Sequence, residues 1–234
     1  MKHMLLKNKH KINHIKIIIN ICIIVIYSII FINKVVLANE GVCIDNGCHE
    51  ERVIKVLVLY DDELFFEKGW ENNLNNRLAE INDFYYSNFK IKWKVIAIKQ
   101  YPFNKNIEKL STLFFLHKED ILKLETNAEV ILSIIGRDIK GSGIAATFSN
   151  IIMVSNYDKL LSYRSSVIIA HEFGHLFGAW HTQRREDFML VSGASNLHAG
   201  KESSSILKLM RNYSFVPETI LNNGKVLNRI SRLY

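Results

Sequence analysis

Apolar and polar positions alternate along the chain with changing period, and the changes mark its elements. Residues 53–60, VIKVLVLY, are a nearly unbroken β-branched run ending at Asp61-Asp62, the pattern of a buried strand. Over 64–88 the period becomes helical, with Trp70, Leu74, Leu78, Ile81 and Tyr85 on one face. In 89–98, FKIKWKVIAI, Ile91, Trp93 and Val95 alternate with lysines, as in a half-buried strand. Helical spacing returns over 107–125 through Leu110, Leu113, Phe114, Ile121 and Leu124. AEVILSII (128–135) reads as another buried strand, and the glycine-led stretch 141–155 as one or two extended segments. Ser165–Phe177 is helical; beyond His181 the pattern dissolves, except for a last core helix over Ser203–Arg211. Strands alternating with helices predict a single α/β (α+β) domain. Its sheet would be twisted and mostly parallel, with crossover helices and 141–155 as an antiparallel edge.

The first 38 residues stand apart. Lysines stud residues 1–16, residues 17–32 are apolar except for Asn20 and Ser28, and Val36 and Ala38 occupy the small-residue positions of a cleavage site. A basic start, an apolar middle and a small-residue exit describe a secretory signal, removed after Ala38. The alternative is an uncleaved anchor through 17–32, slightly short for a full span. Either predicts that the rest of the chain acts outside the cytosol, and membrane contact would come only through this segment. It also changes the reading of charge. The net charge of +7 suggests a polyanion partner, but six lysines and no acidic residue lie in 1–38. That leaves 24 basic against 23 acidic residues afterwards, so no footprint for nucleic acid remains.

Residues 39–52 form a short segment carrying Cys43 and Cys48, and 53–234 the domain proper. In an exported protein two such cysteines most often form a disulfide. A zinc site with His49, or a thiolate capping an active-site metal, are the other readings.

The candidate chemistry lies in 171–181, HEFGHLFGAWH. On a helix, residues four apart share a face, so His171 and His175 can reach one ion. Glu172 lies about 100° round the helix, flanking the ion without binding it. His181 would sit about 15 Å further along a continuous helix, so it joins only if the chain turns back. Gly178 stands where that turn is needed, and glycine enters the left-handed region at little cost. Three histidines leave one zinc position for water, with a carboxylate beside it, which fits a catalytic ion better than a closed structural one.

The spacing His171-Glu172-x-x-His175-x-x-Gly178-x-x-His181 resembles the extended zinc signature of the metzincin metallopeptidases. The resemblance implies an upper subdomain of sheet and helices, an active-site helix, and a small irregular lower subdomain closed by the C-terminal helix. It implies a methionine turn beneath the metal. Met189 in EDFMLVSGAS is the candidate, with ordinary core packing as its alternative and Met210 as competitor inside a helix. It further implies one catalytic Zn2+, a peptide or protein substrate, and Glu172 as general base to a zinc-activated water. The substrate would lie extended along Gly143, Ile144, Ala145, Ala146 and Thr147. Ser192 and Gly193 would wall the pocket beyond the scissile bond. The glycine-led segment has an equal alternative as a turn into an inner strand. The chain departs from the family in three ways: no tyrosine closely follows Met189, Thr182 matches no subfamily mark, and no long inhibitory segment separates Ala38 from Val53.

The expectation is therefore an exported, monomeric zinc endopeptidase. Two rivals are a zinc hydrolase of a non-peptide amide and an inactive zinc-containing binding protein.

Overall fold

A computed structural model describes residues 50–65, 68–155, 162–191 and 193–215, with two isolated positions beyond, Asn228 and Ser231. Residues 1–38, the segment expected to be a signal, together with Cys43, Cys48 and Ser192, lie outside the described residues.

Five strands form one sheet. In chain order they are β1 (Arg52–Tyr60), β2 (Ile91–Gln100), β3 (Val130–Ile135), β4 (Gly143–Ala145) and β5 (Ile151–Ser155). Across the sheet the order is β2-β1-β3-β5-β4. Every pairing is parallel except the last: β4 runs antiparallel to β5, with Gly143 opposite Val154 and Ala145 opposite Ile152. The helices are α1 (Asp62–Phe65, a single turn), α2 (Trp70–Phe89), α3 (Leu110–Leu122), α4 (Ser162–Leu176) and α5 (Lys201–Met210). The fold is the expected mixed α/β arrangement, with 141–155 split into two strands and its first piece at the sheet edge.

The near-continuous apolar runs follow from burial on both faces, since a parallel sheet carries helices above and below. On one face Ile54, Val56, Val58, Leu132 and Ile152 pack with residues of α2, α4 and α5. On the other, Leu57, Leu59, Ile131, Ile151 and Met153 pack against Leu110, Leu113, Phe114 and Ile121 of α3. Trp93 and Phe173 stack at 3.7 Å between ring centroids, joining β2 to α4 on the first face.

The helix expected over 64–88 is instead two pieces. Gly69, at φ 81°, caps the start of α2, so 62–65 forms only a turn before it. At its other end, Lys90 is left-handed (φ 58°) and its N–H reaches the carbonyls of Tyr85 and Tyr86, which reverses the chain into β2. Asn82 of α2 then pins that strand: its Oδ1 accepts the Trp93 N–H (2.6 Å) and its Nδ2 donates to the Trp93 carbonyl (3.0 Å). Among the described residues no helix is long and apolar enough to cross a membrane.

Candidate metal centre

α4 ends where sequence reasoning places the turn. Gly178 has φ 85°; its N–H donates to the His175 carbonyl (2.9 Å), and the Ala179 N–H donates to the Gly174 carbonyl (3.1 Å). These two bonds make a Schellman C-cap, which satisfies the orphan carbonyls of the last turn and sends the chain back. A side chain at Gly178 would also overlap the Phe148 ring.

The reversal brings the three imidazoles together. His181 Nε2 lies 3.1 Å from His171 Nε2 and 3.2 Å from His175 Nε2. The other ring nitrogens are engaged: His171 Nδ1–H donates to the Phe188 carbonyl (2.8 Å), His175 Nδ1–H to the Ala179 carbonyl (2.7 Å). A carbonyl can only accept, so both protons sit on Nδ1 and both Nε2 atoms present lone pairs. His181 Nε2 can donate to at most one of them. At least one Nε2 lone pair is therefore left without a hydrogen-bond donor at contact distance, an arrangement that a cation resolves. Burial lowers the pKa of His171, and burial together with neighbouring His171 drives His175 down to about 3, so the neutral ligand form is favoured. Among the described residues the donor set is three nitrogens, which fits zinc with a further position open.

Glu172 is buried next to this cluster, and its burial pushes the carboxyl up to about 8. Its Oε1 would lie 2.5 Å from a Cβ placed on Gly143, so β4 passes directly over the carboxylate. Gly174 has the matching role on the underside of the helix, where the Met189 sulfur would lie 2.6 Å from a Cβ. Met189 is fully buried there, whereas Met210 is buried within α5.

Of the positions expected to hold substrate, Gly143, Ile144 and Ala145 form edge strand β4, while Ala146 and Thr147 belong to the turn after it, closed by the Ser149 N–H on the Ala146 carbonyl (3.0 Å). Gly193 takes φ 89° beyond the Met189 loop, with open space around it. Sequence reasoning did not find the carbonyls of Ala179 and Phe188, which orient two of the histidines. Backbone acceptors carry no residue signature, so only the fold reveals them.

This fold, with three convergent imidazoles at the end of a helix and a carboxylate beside them, defines a metzincin-type zinc metallopeptidase. The chain belongs to metallo-peptidase family M12: the family's Reprolysin_5 description matches residues 50–219. No curated protein matches its sequence. Among solved structures it is similar to archaemetzincin from Methanopyrus kandleri, with a TM-score of 0.50, 15% identity, and coverage of 73% of this chain and 98% of that one. It is also similar to a chain in the structure of a chaperone-substrate complex, with a TM-score of 0.52 and 12% identity over 70% of this chain; the match spans 35% of that longer chain.

Proposed function

We propose that the chain is an exported endopeptidase in which His171, His175 and His181 hold one Zn2+ and Glu172 is the general base. The observation that carries this reading is the position of Glu172: buried, beside the imidazole cluster, and directly under edge strand β4. Zinc, when bound, lowers the pKa of water and polarises a carbonyl. The chain's own residues supply the rest. β4 offers the outer main-chain groups of a three-residue edge, onto which an extended peptide can add as a further strand. Such a peptide would cross above Glu172, whose carboxylate takes a proton from the attacking water and returns it to the leaving amine nitrogen. The buried carboxyl, raised towards neutral pH, matches the requirement that a proton carrier be able to hold and release its proton near working pH.

Export rests on the lysine-rich start, apolar middle and small-residue exit of residues 1–38. The disulfide between Cys43 and Cys48 rests on that export and on their short spacing.

Glu172→Ala tests the proposal, because a general base that is not a ligand matters for rate and little for metal. The variant should keep one zinc per chain by elemental analysis. Its cleavage of a quenched peptide library should fall by about a hundredfold or more. A zinc-loaded parent that cleaves no peptide would leave a binding protein or an amide hydrolase as the reading. Parent-level cleavage by the zinc-loaded variant would defeat the assigned role of Glu172.

A further inference from the structure

Asp187 is a carboxylate with no exposed surface, lying in the loop between His181 and Met189. Its Oδ1 accepts the Met189 N–H (2.9 Å) and its Oδ2 accepts the Ser203 hydroxyl (2.8 Å). Its own carbonyl accepts the Leu190 N–H (3.0 Å). One side chain thus ties the loop both to itself and to the first turn of α5. Between the two tethered residues sits Phe188, whose N–H donates to the His198 carbonyl (2.7 Å) and whose carbonyl accepts His171 Nδ1–H (2.8 Å).

Gly200 supplies independent support. Its backbone (φ −65°, ψ 174°) is open to any residue, so conformation does not explain the glycine. A Cβ there would overlap Asp187 Oδ2. The space beside α5 is kept clear for the carboxylate.

The geometry points to Asp187 as a positioning residue: its carboxylate locks the Phe188 carbonyl onto His171 and thereby sets the metal affinity of the imidazole cluster. This rests on the metal-holding role proposed above for the three histidines. Groups that orient a ligand's second nitrogen typically change metal affinity by about 10–100-fold when lost, and Asp187 acts one bond further out. Asparagine can replace it in this role. Its carbonyl would accept the Met189 N–H, and its amide would donate to the Ser203 oxygen, since a hydroxyl both donates and accepts. Alanine would leave the buried Met189 N–H without its partner.

The test compares the parent, Asp187→Ala, Asp187→Asn and Ser203→Ala in the full chain. Zinc affinity is read by chelator competition, and ligand geometry by the visible absorption of the cobalt-loaded protein. Asp187→Ala should bind zinc about tenfold more weakly and show altered cobalt bands. Asp187→Asn should stay within about threefold of the parent with the parental spectrum, because the tether survives. Parental affinity and spectrum in folded Asp187→Ala would overturn the inference while leaving the metal site standing. Asparagine as damaging as alanine would also overturn it, since charge rather than tethering would then be at work. Should Asp187→Ala fail to fold, Ser203→Ala carries the comparison: a smaller loss of affinity in the same direction supports the tether, and parental affinity rejects it. A parent that binds no zinc sinks the metal site and this inference together.

Discussion

The central strands β1, β3 and β5 and the buried part of the loop from Gly178 to Gly200, around Ala179 and Asp187–Met189, are held by different means. In the strands, burial is aliphatic and periodic; Ile131, Leu132, Ile151 and Ile152 hold their places by volume and by a regular ladder. In the loop, position depends on single polar atoms: the Ala179 and Phe188 carbonyls, the Asp187 carboxylate, and the Thr182 N–H on the Met189 carbonyl (2.9 Å). The strands can lose a methyl group and keep their geometry. The loop loses its geometry when one atom is misplaced. The half of the protein that carries the chemistry is the half that cannot average its errors.

Breaking the loop should therefore cost function more than breaking the sheet. The largest effect is expected from Gly178→Val. A β-branched residue resists φ 85°, and its side chain would overlap Phe148, so His181 could not return to the cluster. Chelator competition should show zinc affinity lost by about a hundredfold or more, beyond the range for second-nitrogen partners, because a ligand itself is removed. Parental zinc affinity in this variant would disprove the turn argument. Leu132→Ala, in the centre of the sheet, should instead cost about 2–5 kcal/mol of unfolding free energy. The molecules that remain folded should keep parental zinc affinity and turnover. A tenfold fall in zinc affinity per folded molecule would show that the two regions are not separable.

Titration sharpens the contrast, because the metal-free site carries shifts of both signs. His171 and His175 are lowered, so below pH about 6.5, the ordinary value for histidine, the unfolded chain binds protons that the folded chain refuses, and stability falls as pH falls. Glu172 is raised to about 8, so above its unfolded value the folded chain holds the extra proton, and its contribution is lost as pH rises towards 8. On the acid side the proton refused by His175 offsets the one held by Glu172 and the lowered His171 tips the balance, while only the carboxyl acts above pH about 6.5. The chelator-treated protein should thus show an alkaline limb, losing stability from pH about 6.5 towards 8 by up to about 1.4 kcal/mol per pH unit for this one proton. Glu172→Gln should flatten the alkaline limb. A melting temperature that keeps rising steadily from pH 6 to 8 would contradict this assignment of protons. The smallest effect belongs to α3, on the far face of the sheet. Phe115 there is 68% exposed, and Phe115→Ser should change stability by no more than about 0.5 kcal/mol and leave zinc affinity alone.

Legibility in the sequence follows the same division. Strands and helices declared themselves because hydrophobic period is set by burial: Trp70, Leu74, Leu78, Ile81 and Tyr85 do lie buried on one face of α2. The break at Gly69 was missed because an apolar period carries across a one-residue interruption. The convergence of His171, His175 and His181 was legible because helix geometry and one glycine determine it. Asp187 was not. It stands among Arg184, Arg185 and Glu186, all exposed, and nothing in that polar run separates a fully buried carboxylate from its solvated neighbours. What holds it is Ser203, sixteen residues downstream, and a contact at that distance follows no local period.

The two edges of the sheet have a consequence for how copies of this chain meet one another. Unpaired strand edges are templates for adding strands, including those of identical molecules. At β2 the edge is blunted: the Asn82 amide occupies both main-chain groups of Trp93, and Lys92, Lys94 and Lys99 punctuate the strand with charge. At the other edge β4 is only three residues long and antiparallel. It can seat a short extended segment, but it offers too little ladder for two sheets to fuse into a continuous one. Among the described residues the sheet thus leaves one edge open but keeps it short, a form that limits edge-to-edge pairing.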